Sequence, residues 1–259
     1  MESLFILKIG GKVIDEEAML KEALEAFLAQ DGHKILVHGG GKKATEVSQR
    51  LGIPAQMING RRITDAAALE VVTMVYAGLS NKVIVSKLQS MHCNAIGMSG
   101  ADANAILAHK RVVRDIDYGF AGDIDAVNAD AIQTLLEGKL TPVFCAITHD
   151  GKGQLLNTNA DTIATQLAIA MSEKYQVSLN FCFEKPGVLM NPSDDSSVIP
   201  QINVDSYQKY KAEGVIADGM IPKLDNAFDA LARGVREVRI ADVSGILERR
   251  GTILNSVGD

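Results

Sequence analysis

Short apolar runs that stop on glycines, each followed by a helix-patterned stretch, constrain this chain more than any other feature. Residues 3–9 form such a run and end at Gly10-Gly11, and residues 34–37 form a second that runs through His38 into Gly39-Gly40-Gly41. Between them, residues 15–29 carry Leu20, Leu24, Phe27 and Leu28 on one helical face, with Asp15 placed to cap the helix and Gly32 to end it. The alternation continues along the chain. Helices are expected at 42–51, 65–79, 81–92 (with a break near Gly78), 130–137, 160–173, 206–213 and 222–232. Strands are expected at 94–98, 142–147, 177–183 and 235–241, the last clear one. Hairpin structure is expected within 99–130, a tight turn at 150–153 and a polar loop at 191–203. Strands that alternate with helices pack as a mostly parallel sheet covered on both faces. The fold class is therefore α/β, a three-layer sandwich with a mostly parallel central sheet. No linker-like stretch divides the chain, so one domain over 1–259 with two lobes is expected.

Composition excludes several functions. The net charge of −6, the absence of Trp and an aromatic content of 5% disfavour nucleic-acid binding. No run of about 20 apolar residues is present to span a membrane. The first residues lack the basic start and the apolar length of a signal peptide. Cys93, Cys145 and Cys182 are odd in number, lack a CxxC spacing and sit in apolar surroundings, which points to free buried thiols in a reducing, cytoplasmic compartment. The five histidines show no metal-ligand spacing, so no dedicated metal site is expected.

The residues that could carry chemistry follow from the glycine clusters. Ligands of parallel α/β sheets bind beyond the carboxyl ends of the strands, where glycine lets the backbone approach an anion and the next helix offers unpaired N–H groups. Neither cluster fits GxGxxG or the P-loop pattern. Each could be only a tight turn, but two of them favour an anionic ligand. Lys8 stands inside an apolar strand, either snorkelling to water or aimed at a phosphate. Lys223 follows Asp218-Gly219-Met220 at the start of a helix, where a cation opposes the dipole, unless surface exposure alone accounts for it. In Asn157-Thr158-Asn159-Ala160-Asp161, Thr158 or Asn159 could cap a helix and Asp161 suit its first turn. Arg61 and Arg62 sit on a turn, either as solvated surface or as a fork for a carboxylate.

Taken together, the segments KIGGK at 8–12, VHGGG at 37–41, NGRRIT at 59–64, AGLSNK at 77–82, GMSGADAN at 97–104, LNTNAD at 156–161 and DGMIPK at 218–223 resemble the amino acid kinase family over nearly the whole chain. NGxRxT together with NxNAD resembles the branch that acts on N-acylated glutamate. The resemblance implies the fold of that family, with an acylglutamate-binding lobe over about 1–175 and a nucleotide-binding lobe over about 176–259. It implies that Lys8 contacts the transferring phosphoryl group, that Lys223 stabilises the leaving phosphate, and that Asp161 organises both lysines. Gly10, Gly11, Gly40 and Gly41 would donate backbone N–H groups. Arg62, rather than Arg61, would grip the amino-acid carboxylate, and Asn157 would touch the substrate backbone. Gly187, Asp218, Gly219 and Met220 fall in the segments that would hold ATP.

The implied reaction is ATP-dependent phosphorylation of the side-chain carboxylate of N-acetyl-L-glutamate, or another N-acylglutamate such as N-succinylglutamate. It would be the second step of arginine synthesis. A carboxylate with a pKa near ~4.3 is already ionised at neutral pH and needs no general base. The task left to the protein is to bring two anions into line, with lysines, backbone N–H groups and Mg²⁺ held mainly by the nucleotide phosphates. The chain departs from the family at Phe183-Glu184-Lys185-Pro186-Gly187-Val188, where a (Ser/Thr)-Asp-Val-x-Gly run is usual, so altered purine recognition is expected there. It also starts directly at the first strand, which implies an arginine-insensitive homodimer. Two alternatives stand beside this reading: another carboxylate or carbamate kinase of the same fold, and a non-catalytic amino-acid or nucleotide sensor.

Overall fold

The computed structural model describes residues 1–58, 61–216 and 220–255. In chain order the elements are β1 (Ser3–Ile9), α1 (Gly11–Asp15), α2 (Glu17–Leu28), β2 (His33–His38), α3 (Gly41–Arg50), β3 (Met57–Ile58), β4 (Arg61–Arg62), α4 (Ala66–Val72), α5 (Asn81–Ser90), β5 (Ala95–Met98), β6 (Ile106–Lys110), β7 (Gly122–Val127), α6 (Ala129–Glu137), β8 (Thr141–Cys145), β9 (Ile147–His149) and β10 (Leu155–Asn157). They continue with α7 (Ala160–Ser172), β11 (Gln176–Cys182), β12 (Gln201–Ile202), α8 (Val204–Ala212), α9 (Ile221–Ala232), β13 (Glu237–Ala241), α10 (Val243–Glu248) and β14 (Thr252–Leu254). The architecture is the expected α/β one, a mostly parallel central sheet with helices around it. Two compact units are present, one of Met1–Lys34 with the residues from Ala164 onward, the other Ile35–Ile163.

In the first unit, β1 runs parallel to β11 along its whole length, from Ser3 opposite Gln176 to Ile9 opposite Cys182. β11 pairs parallel with β13, and β14 closes on β13 in the antiparallel sense with β12 beside it. Leu4, Ile6, Leu7 and Ile9 are buried, as are Leu179 and Phe181 across the ladder. Near-continuous apolar strands of this kind belong to sheets covered on both faces. Along this edge the first strand thus packs with elements from the C-terminal part of the chain, because β11 begins at Gln176.

In the second unit, β2 and β5 lie parallel on either side of β8. A separate four-stranded sheet runs β10-β9-β6-β7, with β6 and β7 antiparallel as the hairpin expectation required. The strand expected at 142–147 is two strands. After Cys145 the chain leaves the parallel sheet at Ala146, and Thr148 pairs with Leu156 in the smaller one. The break expected near Gly78 is absent. Thr73–Ser80 forms a π-helical stretch that joins α4 to α5 without interruption. A lone glycine costs a helix only about 1 kcal/mol, and buried Val75 and Tyr76 hold the stretch against the core.

Among the described residues, one helical stretch, Ala66–Ser90, is long and apolar enough to cross a membrane, and half of its most apolar window is buried inside the protein. Val71, Val72, Val75, Tyr76, Ile84 and Leu88 face the core from it. Two elements lie beyond the last expected strand, α10 and β14. Asp242 starts α10 by accepting the Gly245 N–H at 2.7 Å. All three cysteines are free and buried, as expected.

Candidate active site

The second unit builds a cleft around the start of α3. β2 delivers the glycine run, and Gly40 stands at the N-cap with φ +154° and no side-chain cap above the helix. A Cβ at this position would lie 3.0 Å from Cδ1 of Tyr76, so both the backbone angle and the close approach require glycine. Gly41 opens the ten-residue helix, whose N-terminal N–H groups form its positive end.

A buried network sets the geometry of that loop. The Nδ1 of His38 lies 2.7 Å from the Gly39 carbonyl, and its Nε2 lies 3.0 Å from Nδ2 of Asn81. The Asn81 amide nitrogen also donates to the Val143 carbonyl at 2.9 Å, while its Oδ1 accepts from Lys82 Nζ at 3.2 Å. An amide nitrogen only donates, so Nε2 accepts and the ring proton sits on Nδ1, donated to Gly39. Burial, helped by the Lys82 ammonium, lowers the His38 pKa to about 4, against the pull of its Gly39 bond, and the ring is neutral.

β4 separates the two arginines. Successive strand residues face opposite sides, and Arg61 is exposed while Arg62 is buried. Arg62 donates through Nη2 to Thr45 Oγ1 of α3 at 2.7 Å. It lines a cleft of 180 Å³ together with Gly40, Tyr76 and Asn157. Asn157, at the end of β10, donates to Thr64 Oγ1 at 3.0 Å. Of the two possible caps on α7, Asn159 is the one used: its Oδ1 accepts the N–H groups of Asp161 and Thr162 at 2.8 and 3.2 Å. Asp161 sits in the first turn of that helix.

Tyr76, Arg111 and Tyr118 also line the cleft, and nothing in the sequence pattern singled them out. Burial pushes the Tyr76 hydroxyl above its ordinary pKa, opposed by the Arg62 guanidinium beside it. Arg111 is held in a fork by Asp123, whose carboxyl it keeps below the usual range. That pair follows from the β6–β7 hairpin, the one local signal that could have found it.

The first unit carries the two lysines. Lys8 lies near the carboxyl end of β1 and is only 8% exposed. Gly10 follows, donating its N–H to the Cys182 carbonyl at 3.0 Å, and Gly11 opens α1. Lys223 lies in the first turn of α9, behind Met220 at the N-cap and Pro222. Its Nζ stands 5.4 Å from the centre of the Phe183 ring. A second cavity of 180 Å³, mostly apolar, is lined by Phe183, Gly187, Val188, Ile216 and Met220. A Cβ on Gly187 would lie 2.7 Å from Thr252 Oγ1, the hydroxyl that receives the Val188 N–H. Lys185, beside the same cavity, pairs with Asp195 at 2.8 Å.

The structure therefore gathers Gly40, Arg62 and Asn157 in one cleft, and Gly187 and Met220 in another. Lys8, Gly10 and Gly11 stand together at the end of β1. Asp218 and Gly219 lie outside the described residues, as do Asn59 and Gly60 of the arginine motif.

The amino acid kinase family model matches residues 3–242 of the chain. An acetylglutamate kinase of Bacteroides fragilis is 53% identical over 251 residues, covering 97% of this chain and 96% of that protein. One from Cytophaga hutchinsonii is 52% identical over 249 residues, covering 96% and 94%. Among solved structures, the smu.665 protein of Streptococcus mutans UA159 superposes with a TM-score of 0.80 at 25% identity, covering 98% of this chain and 99% of that one.

Proposed function

The chain belongs to the amino acid kinase family, and from that premise we propose that it transfers the γ-phosphoryl group of ATP to the side-chain carboxylate of N-acetyl-L-glutamate. The product would be the acyl phosphate of the second step of arginine synthesis. The observation that carries the reading is the buried Arg62 guanidinium in a cleft beside the uncapped start of α3. A fixed cation and a positive helix end in one recess suit an anionic amino acid. Arg62 clamps the α-carboxylate, Asn157 orients the substrate backbone, and Gly40 and Gly41 present N–H groups to the reacting carboxylate.

The carboxylate is its own nucleophile, and no base has to remove a proton. The protein's work is to offset charge and fix alignment. Lys8 meets the transferring phosphoryl group, and Lys223 meets the phosphate that leaves. Asp161 organises both. Gly11 donates its N–H to a phosphate oxygen, whereas the expected donation from Gly10 is corrected, because its N–H is taken by the Cys182 carbonyl. Gly187, Asp218, Gly219 and Met220 form the nucleotide side, a role supported by the apolar cavity that Gly187 and Met220 line. Among the described residues no three His, Cys, Asp or Glu converge to hold a metal. In this reading Mg²⁺ would be held mainly by the nucleotide phosphates, where it would neutralise charge.

The unit Ile35–Ile163 takes the acylglutamate in this reading, and the unit that contains β11, α9 and β13 takes the nucleotide. A cytoplasmic location is supported by three buried free thiols. A homodimer is supported by Met74, Leu79 and Val83, large apolar residues exposed on the stretch Ala66–Ser90. A sensor would have no need of Lys8, Asp161 and Lys223 together, and the Bacteroides and Cytophaga relatives bear an enzyme's name.

The test is ADP release with Mg-ATP against N-acetylglutamate, N-succinylglutamate, glutamate, aspartate and carbamate, with the acyl phosphate trapped by hydroxylamine. Turnover of an N-acylglutamate is expected, and the panel identifies the acyl group. Silence from a folded enzyme across the panel would refute the kinase reading.

A further inference from the structure

Just past β11 the chain sets an aromatic ring against Lys223. We propose that Phe183 is a positioning residue that holds the Lys223 ammonium for phosphoryl transfer. The proposal rests on the role assigned to Lys223 above.

Three observations carry it. The Phe183 backbone is fixed, because its N–H donates to the Ala241 carbonyl at 3.1 Å, one residue past the end of β11. Its side chain stands beside the glycine loop after β1, since a Cβ on Gly10 would lie 3.7 Å from the Phe183 Cβ. Its ring centre lies 5.4 Å from Lys223 Nζ, inside the range of attraction between a cation and a ring face of about 6 Å. One side chain therefore touches the Gly10 loop and receives the lysine of α9.

The physical need is specific. A cation in the first turn of a helix opposes the dipole, so α9 by itself pushes the ammonium away. The four-carbon stem of a lysine also loses rotamer freedom when its tip is held in one place. A ring face attracts the ammonium and adds no net negative charge. Phe183 thus supplies through its quadrupole a hold on the ammonium.

The test is a double-mutant cycle on the full chain with Phe183→Leu, Phe183→Tyr and Lys223→Ala. Leucine keeps apolar bulk without a π face, and tyrosine keeps the face. F183L is expected to lower kcat about five-fold, with KM for ATP and acylglutamate changed by less than about two-fold. F183Y should restore kcat, and F183L should cost nothing further in the K223A background. A readout independent of turnover is the ¹³C resonance of reductively methylated Lys223, assigned by its loss in K223A. The ring should shift it upfield in the parent and F183Y, and not in F183L. An unchanged kcat in F183L beside an impaired K223A overturns the proposal alone, as does an equal loss in both backgrounds or a resonance blind to F183L. Full activity in K223A overturns the role of Lys223, and the proposal with it.

Discussion

Asn81 donates to Nε2 of His38 at 3.0 Å and to the Val143 carbonyl at 2.9 Å, so a single amide ties the imidazole to β8. The same ring holds the carbonyl of Gly39, next to the N-cap of α3. A residue with no contact to solvent thereby fixes the loop that begins the cleft. Burial, then Lys82, lowers its pKa to about 4, whereas a histidine in an unfolded chain titrates near ~6.5. Between those values the unfolded state binds a proton that the folded state does not, so stability falls as pH drops through this window. The full loss is about 3 kcal/mol. His38→Gln should flatten the descent, measured by urea unfolding at pH 7 and pH 4.5. A parental slope in the variant would trace the descent to other groups.

Gly97 supports the same network. A Cβ there would sit 1.8 Å from Asn81 Oδ1 and 2.7 Å from Lys82 Nζ. Gly97→Ala should cost about 2 kcal/mol by displacing Asn81. An unfolding midpoint equal to the parent's would show that the amide has room to move.

The thiols should be inert. Burial pushes Cys145 and Cys182 up to about 12, and the thiolate is the reactive form. Native protein treated with iodoacetamide at pH 8 should show neither residue alkylated in peptide mass spectra. Rapid labelling of either would contradict the packing around it.

Lys8→Ala and Lys223→Ala should each cut kcat at least about ten-fold, since each removes a charge directed at the phosphoryl group. Steady-state kinetics at saturating ATP decides this separately for each lysine. Parental activity in one variant removes that lysine from the mechanism.

Arg62→Ala should act on the other substrate. The expected result is a KM for acylglutamate raised by about ten-fold or more, with the KM for ATP unmoved. An unchanged acylglutamate KM would end the role of Arg62 as a clamp, whatever happens to kcat.

What could be read from the chain was local. The glycine run after β2 marks the start of α3, whereas the helix expected at 15–29 begins four residues after the start of α1, and Arg62 rather than Arg61 is picked out only by the family resemblance. What escaped was set by pairing at a distance. The strand at 142–147 reads as one apolar run, yet Thr148 pairs with Leu156 and divides it into β8 and β9. Gly78 reads as a helix break, but packing of Val75 and Tyr76 keeps the helix whole. Tyr76 joins the cleft only because α3 and the π-helical stretch meet at Gly40. The Phe183 ring and Lys223 come from separate elements, and no spacing rule connects them.

The pairing of β1 with β11 has a consequence for biosynthesis. The ribosome delivers Ser3–Ile9 first, but the strand that completes its hydrogen bonds begins at Gln176. At ~5–20 residues per second, the edge of that segment covered by β11 waits roughly ten to thirty seconds to be paired. The whole of Ile35–Ile163 emerges in the interval as an unbroken stretch able to collapse on its own. That open edge of the first strand is therefore a surface that a chaperone has reason to shield until β11 arrives.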